Sequence, residues 1–544
     1  MRIKPFPLIA SLIVAALGVA ALSGCQVRSP QQRLAGDVST ALHRLDDKGA
    51  FLAARVVDLQ TGQVLLSENP DEPMIPASNG KLAISAAALD LFGPNHTFKT
   101  YLVLHGDDLW IVGSGDPATG DEKIAQKYGR EVTSVFDDWA DAVRRGGLSR
   151  VSGNIYYWDR AFDEQWVHPL WKKSFLVDWY AAPVSGLNFN DNCIDITAYP
   201  GDAPGVPAKL EVVPPNTVAA IENQTTTGGE SKAEITRASD APRFTVTGGI
   251  SRKQKYESKP ITDPGAFFAD AFRVHLQARG IEVAGQVFRA DELPFPPTGP
   301  GIDRILAVHE TAMPDILNRI NKNSQNLFAE AISKAMGREY AFRRDGASVP
   351  GSWALGEEAT KAFLTKHGIN TGQFVAADGS GLARENRVTS RLITDLLELM
   401  WRHPHGKMWR DSLSVGGVDG TIGKRQKDFA GRIYAKTGYI GGVRSLSGYA
   451  RTFDDRWLAF SFIYNNIEGS VKPYEALQDD ACWALVHYPR KAPPRRTTGD
   501  ASPATAPTTA PTAIEPATQP SSGVAAPVPD TASAVDDATT QPTP

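Results

Sequence analysis

The elements of one sheet-and-helix layer stand at opposite ends of this chain. Near the start, residues 51–59 (FLAARVVDL) and 63–69 (QVLLSEN) are strand-like runs split by Thr61-Gly62, a hairpin pattern. Residues 81–89 (KLAISAAAL) are apolar nearly all round and end near Gly93-Pro94, which predicts a buried helix. Far downstream, GRIYAKTGYI, SLSGYARTF and RWLAFSFIYN read as three strands of a meander, the last two joined at Asp454-Asp455. An amphipathic stretch from Pro473 to His487 then predicts a closing helix. Many short strand-like runs lie between the two ends. The pattern predicts an α/β domain (α+β in layout) whose sequence is interrupted by inserted β-rich domains. Its two segments are expected at 36–96 and 301–491, with 97–300 inserted and one insert nested in another.

Composition narrows the function classes. The chain has 544 residues, with 57 basic and 61 acidic side chains for a net charge of -4. That balance supplies no broad cationic field, so nucleic acid is not an expected partner. Three cysteines in such a length exclude a disulfide scaffold, and no Cys-x-x-Cys pair suggests a metal or redox site. Residues 1–25 carry Arg2 and Lys4, an apolar run and the string Leu22-Ser23-Gly24-Cys25. This is the order of an export signal, and its end resembles a lipobox in which Cys25 receives the lipid. An exported, periplasmic protein follows, attached to a membrane only through that lipid. Gln26 in place of Asp favours the outer membrane. From 492 to 544 the chain is rich in Pro, Ala, Thr and Ser and has no aromatic residue, which predicts disorder.

The chemistry concentrates at three places. Ser78-Asn79-Gly80-Lys81 is the only Ser-x-x-Lys string in the chain. Positions three apart share a helix face, so Lys81 Nζ can reach Ser78 Oγ, and a serine in the first turn lies near the positive end of the helix dipole. Lys436-Thr437-Gly438, also a single copy, lies in a strand-like run. There Gly438 removes a side chain where a substrate must come close. Ser324-Gln325-Asn326, at the start of a helix, directs Ser324 and Asn326 into the same cleft. The pattern has little weight alone, since Ser67-Glu68-Asn69 and Ser152-Gly153-Asn154 also satisfy it.

In this order the three resemble the active-site set of the penicillin-recognising serine enzymes. Ser324 lies 246 residues beyond Ser78, far more than one helical lobe needs. That spacing resembles the D-alanyl-D-alanine carboxypeptidase/endopeptidases of the penicillin-binding protein 4 type, peptidase family S13. VGSGDPAT at 112–119, YAAPVSGLNFNDN at 180–192, DPGAFFADAF, RGIEVAGQV, DGSGLARENRVT at 378–389 and VGGVDGTIGKR are similar to that family too.

The resemblance implies a β-lactamase/transpeptidase-like catalytic domain, an antiparallel sheet flanked by helices, with no cofactor and no metal. It implies Ser78 as nucleophile and Lys81 as general base. Ser324 and Asn326 would relay the proton to the leaving amine and hold the peptide, while Lys436 and Thr437 face the terminal carboxylate. Gly438 and Tyr439 complete the substrate strand, with oxyanion donors expected at the N–H groups of Ser78 and Tyr439. Peptidoglycan peptides are the implied substrate and β-lactams the implied covalent inhibitors. A lysine is a base near neutral pH only if its pKa is lowered, and a second lysine nearby is expected to lower it by repulsion.

Two residues depart from the pattern: Tyr439 stands where Thr or Ser is common, and Ala383 where Ser is common. Asp159 is a further expectation, as an acid of the inserted part that reads the amino end of diaminopimelate. No Gly-x-Ser-x-Gly elbow or His-Glu-x-x-His string occurs. His403-Pro404-His405 is expected as a surface turn. Cys193 and Cys482 can pair or remain buried thiols, and the sequence leaves both open. A β-lactamase and a wall-binding scaffold without turnover are the competing functions.

Overall fold

A computed structural model describes residues 28–491, apart from 46–48, 230–233, 239–240, 295–303 and 347, together with Pro493. Cys25 and nearly all of 492–544 lie outside the described residues.

The two chain ends meet in one six-stranded antiparallel sheet. Its order is Ser414–Val415, Ile433–Ile440, Val443–Arg451, Trp457–Asn465, Phe51–Asp58 and Val64–Glu68. The expected meander and hairpin are both present, and Phe51–Asp58 zips against Trp457–Asn465 over its whole length. These strands are apolar on both faces because both faces are covered. Leu52, Ala54, Val56, Leu446, Phe460 and Phe462 pack under the helices Pro30–Leu42 and Pro473–His487. Ala53, Tyr449, Ala459 and Ile463 face a second core built with the helices Lys81–Phe92, Met313–Asn321, Asn326–Asp345, Trp353–Lys366 and Ser390–Arg402.

The helix Lys81–Phe92 is buried from Lys81 to Leu89, as its all-round apolar sequence requires, and Gly93 ends it with φ 82. The closing helix spans Pro473–His487.

The intervening chain builds its own sheets. Thr97–His105 and Asp108–Gly113 form a hairpin flanked by Ile155–Trp158 and Arg304–Ala312, with Val287–Arg289 at the far edge. Smaller sheets lie between 193 and 260, and the core here is aromatic: Phe136, Trp139, Phe189, Phe268 and Phe272 are all buried. Cys193 adjoins this core and Cys482 belongs to the one under the terminal helix, and no disulfide joins these two buried thiols. His403-Pro404-His405 forms the expected turn, with Pro404 exposed, while the His403 ring is tucked inward 3.3 Å from Asp90 Oδ1.

Candidate active site

Ser78 sits in a tight turn, Ala77–Gly80, that runs directly into the helix beginning at Lys81. The turn is strained, with Ala77 at φ 47. Two glycines grip it. A Cβ on Gly381, itself at φ 85, would stand 1.9 Å from Ala77 O. A Cβ on Gly438 would stand 2.7 Å from Pro76 O and 3.1 Å from Ser78 N. Gly438 is therefore bare so that its strand can pass the Ser78 turn and Ser445, and not chiefly to admit a substrate. Hydrogen bonds from Ser445 Oγ to Pro76 O at 2.7 Å and from Asn79 Nδ2 to Ser447 Oγ at 2.9 Å tie the turn to the sheet.

Lys81 is fully buried, and Nζ has three acceptors: Ser78 Oγ at 2.9 Å, Asn326 Oδ1 at 2.7 Å and Ser380 O at 2.7 Å. Burial pushes its pKa down to about 7, against the opposing pull of two carboxylates, Glu330 and Asp378. Desolvation, not a second lysine, is thus the main cause, which corrects the expectation from the sequence. Repulsion acts on the other lysine. Lys436 is held well below the usual range by burial, then by Lys81 and Arg444.

The carboxylates were not foreseen. Glu330 is buried in the helix Asn326–Asp345 and accepts from Trp353 Nε1, Gly379 N and Ser380 N at 2.7 to 2.9 Å. Burial and the like charge of Asp378 raise its pKa. Asp378 accepts from Trp171 Nε1, Gly381 N, Ala383 N and Asn386 Nδ2. Together they shape the loop that presents Ser380 O to Lys81. One signal was available: Glu330 is a lone acid in the apolar run NLFAEAI.

Lys436 Nζ donates to Ser324 Oγ at 2.7 Å and to Thr437 O at 3.0 Å. Ser324 has φ 61, an unusual backbone for serine. The loop holding it is anchored from the chain between the two sheet segments: Gln325 Nε2 donates to Asp191 at 2.5 Å, and Arg319 pairs with Asp191 and Asp121. Asn326 starts the following helix and joins three parts of the chain, since its Nδ2 donates to Tyr180 O at 2.7 Å while Oδ1 accepts from Lys81. Thr437 Oγ1 donates to Thr421 Oγ1 at 2.9 Å, so a pair of hydroxyls lies beside Lys436 even though residue 439 is tyrosine.

These groups line a cleft of about 450 Å³. Its lining combines the polar Ser78, Ser324, Asn326 and Thr437 with the apolar and aromatic Phe175, Trp179, Tyr180 and Leu382. Tyr439, 60% exposed, stands at one end. Asp159 is elsewhere. Its side chain is fully buried, accepts from Ser185 Oγ at 3.0 Å and pairs with Arg289 at 3.0 Å, so it has no free face for a ligand. An acid that does adjoin the aromatic wall is Asp178, which accepts from the Tyr180 hydroxyl at 3.0 Å and lies 3.2 Å from Lys259.

Residues 34–484 match the model of a family described as D-Ala-D-Ala carboxypeptidase 3 (S13). The chain is 30% identical over 480 residues to a D-alanyl-D-alanine carboxypeptidase of Actinomadura sp., covering 83% of this chain and 84% of that one. It is 25% identical over 422 residues to D-alanyl-D-alanine carboxypeptidase DacB of Haemophilus influenzae, covering 74% and 83%. The fold is similar to that of penicillin binding protein 4 from Haemophilus influenzae, with TM-score 0.68, 21% identity and coverage of 83% and 99%. A second structure of that protein, complexed with a β-lactam, matches with TM-score 0.62 and 22% identity over 83% of this chain and all of that one.

Proposed function

Because the chain belongs to the D-Ala-D-Ala carboxypeptidase 3 (S13) family, we propose that Ser78 is its acylating nucleophile and Lys81 the base. The protein is a serine-type D-Ala-D-Ala carboxypeptidase acting on peptidoglycan. The observation that carries the assignment of roles is the set of contacts around Lys81 Nζ. A neutral amine has two N–H groups, which Asn326 Oδ1 and Ser380 O accept, and its lone pair then faces the Ser78 hydroxyl. Burial keeps that neutral form populated near neutral pH.

In the proposed reaction, Lys81 takes the Ser78 proton as Oγ bonds to the carbonyl carbon of the penultimate D-Ala. The oxyanion is held by the backbone N–H groups of Ser78 and Tyr439. The C–N bond breaks, and the leaving amine receives the proton that Lys81 took, passed on through the Ser324 hydroxyl that Lys436 contacts, which returns Lys81 to its neutral form. Water then attacks the ester, Lys81 takes its proton, and Ser78 Oγ is released with a proton restored. Asn326 positions Lys81 and the peptide, and Thr437 with Thr421 binds the terminal carboxylate. The bonds cut are D-Ala-D-Ala, D-Ala-diaminopimelate or both, and β-lactams acylate the same serine. Phe175, Trp179 and Tyr180, from the chain between the two sheet segments, supply aromatic surface to the cleft. Export with a lipid on Cys25 completes the reading.

Two measurements test it. A fluorescent penicillin is expected to label the wild type covalently and to leave Ser78→Ala unlabelled; a folded wild type that takes no label overturns the reading. Mass spectrometry of muropeptides incubated with each protein then identifies the bond cut.

A further inference from the structure

Two strained stretches of backbone meet behind the cleft. Ser324 holds φ 61, and Asn190, Asp191 and Asn192 hold φ 49, 53 and 54 in succession. Non-glycine residues persist in the left-handed region only where their surroundings hold them. The two asparagines do this locally: Asn190 Nδ2 donates to Cys193 O at 2.9 Å, and Asn192 Nδ2 donates to Pro183 O at 2.8 Å. The Asp191 side chain instead leaves the turn and reaches Gln325, 134 positions away.

Asp191 Oδ2 accepts from Gln325 Nε2 at 2.5 Å and from Arg319 Nη2 at 3.1 Å. Arg319 is buried, lies 5.1 Å from the centre of the Phe328 ring and donates from Nε to Asp121 Oδ2 at 2.8 Å. Asp121 is buried too, and its Oδ1 accepts from Ile124 N at 2.8 Å. The loops carrying the two acids are packed together. Asn190 N donates to Thr119 O at 3.0 Å, and a Cβ on Gly120 would fall 2.3 Å from the Phe189 ring. Two ionised carboxyls at one guanidinium would leave an excess negative charge in this enclosed place. Burial and the neighbouring Asp121 push the Asp191 pKa up to about 8, against the pull of Arg319, so Asp191 holds a proton near neutral pH.

Gln325 carries this grip to the catalytic loop. Its backbone N donates to Arg319 O at 2.9 Å, and its Oε1 accepts from Asn326 N at 2.8 Å. With backbone N–H, amide N–H and amide oxygen all engaged, the residue is fixed in place. Its two neighbours, Ser324 and Asn326, both line the cleft. Asn326 is also held independently, by Tyr180 O and by the helix it begins. Ser324 has no such helix, and its left-handed backbone depends on what grips Gln325. In that setting Ser324 Oγ meets Lys436 Nζ at 2.7 Å.

Resting on the peptidase reading above, we infer that Asp191 is a positioning residue for proton delivery to the leaving amine: through Gln325 it holds Ser324 in its left-handed backbone, with Oγ on Lys436. Arg319 and Asp121 fix Asp191 in turn. Asp191 acts through Gln325 and Ser324 rather than on the substrate, so its effect falls on the one transfer that Ser324 serves. In that transfer the proton held by Lys81 passes through the Ser324 hydroxyl to the amine nitrogen as the C–N bond breaks. A leaving thiolate needs no such proton.

The test compares kcat/KM of the full chain on a peptide ending in D-Ala-D-Ala and on the thioester analogue of that peptide. Asp191→Ala leaves Arg319 paired with Asp121. It is expected to lose about tenfold or more on the amide and to stay within about threefold on the thioester, the pattern also expected of Ser324→Ala. Added to Ser324→Ala, it is expected to cost nothing more on the amide, since both changes remove one function. Asp191→Asn keeps the shape and an oxygen for Gln325, and is expected to stay within about threefold on both substrates. Gln325→Leu, which leaves both carboxyls and Arg319 in place, is expected to repeat the pattern of Asp191→Ala and serves where that variant does not fold. Equal losses on amide and thioester, or losses that add in the double variant, are the mark of general loosening and overturn the positioning role. So does an Asp191→Asn variant as poor as Asp191→Ala. Labelling by fluorescent penicillin separates the two levels: an unlabelled wild type that turns over neither substrate brings down the peptidase reading and the inference with it, whereas a labelled wild type with equal or additive losses in the variants brings down the role of Asp191 alone.

Discussion

Lys81 Nζ donates to Asn326 Oδ1 at 2.7 Å, a contact that closes 245 residues of intervening chain on the nucleophile's base. The neutral amide oxygen orients the amine without adding charge. Asn326→Asp keeps the shape and places a carboxylate there, which favours the ammonium form. Lys81 is then expected to titrate about one to two pH units higher, with acylation at pH 7 slowed about tenfold or more. Fluorescent-penicillin acylation measured across pH checks this. Recovery of most of the wild-type rate at alkaline pH is the expected mark, and a loss independent of pH goes against it.

The wild-type profile itself has a predicted sign. A base works deprotonated, and the Lys81 pKa stands at about 7, so acylation is expected to fall as pH drops through that value. Glu330 pulls against this by favouring the ammonium. Glu330→Gln is therefore expected to move the acid limb to lower pH. It also turns one acceptor of a three-donor cage into a donor facing an N–H, at a cost of about 2 kcal/mol in stability. A limb that stays in place or moves upward contradicts the account, and chemical denaturation reads the stability.

The uneven legibility of the site has a physical cause. Ser78 and Lys81 were readable because a one-turn spacing fixes their meeting whatever surrounds them. Ser324, Asn326 and Lys436 gained meaning only from their order along the chain, since nothing local brings Lys436 Nζ to Ser324 Oγ. Glu330, Asp378 and Thr421 lie inside or beside recognisable strings, yet their contacts depend on how helices and loops stack, which periodicity does not encode. The pKa argument missed for the same reason: a lysine's burial is a tertiary property, and desolvation outweighed the neighbouring charge that the sequence had suggested. The sheet was legible from its doubly apolar strands. The intervening chain was legible as β-rich, but its individual strands, some as short as Glu282–Val283, were not.

The close approach of Gly381 to the Ser78 turn makes a sharp prediction about geometry. At φ 85, with a Cβ that would fall 1.9 Å from Ala77 O, alanine here strains its own backbone and displaces the nucleophile's turn. Gly381→Ala is expected to destabilise the protein by about 2–4 kcal/mol and to reduce acylation steeply even where the protein remains folded. Gly368, at φ 76 with open space around it, is the control: Gly368→Ala strains the backbone alone, so it is expected to cost about 1 kcal/mol and to leave acylation unchanged. Comparable acylation losses in both variants count against a role for the close contact.

The buried pair of Asp159 and Arg289 separates a structural acid from a reading one. Asp159 is enclosed and doubly engaged, so Asp159→Asn leaves Arg289 with Glu164 as its remaining carboxylate partner. Because Arg289 is partly exposed, the expected cost is about 2 kcal/mol rather than the larger value of a wholly buried pair. Peptides with and without the free diaminopimelate amine are expected to lose kcat/KM in the same proportion. Asp178, beside Tyr180 at the cleft, is partly exposed and is held by a hydroxyl and by Lys259. Asp178→Asn is expected to lower the preference for the amine-bearing peptide by about threefold to tenfold, the scale of one charge-assisted hydrogen bond. The ratio of the two kcat/KM values in each variant decides it: a ratio that changes in Asp159→Asn and holds in Asp178→Asn reverses the assignment.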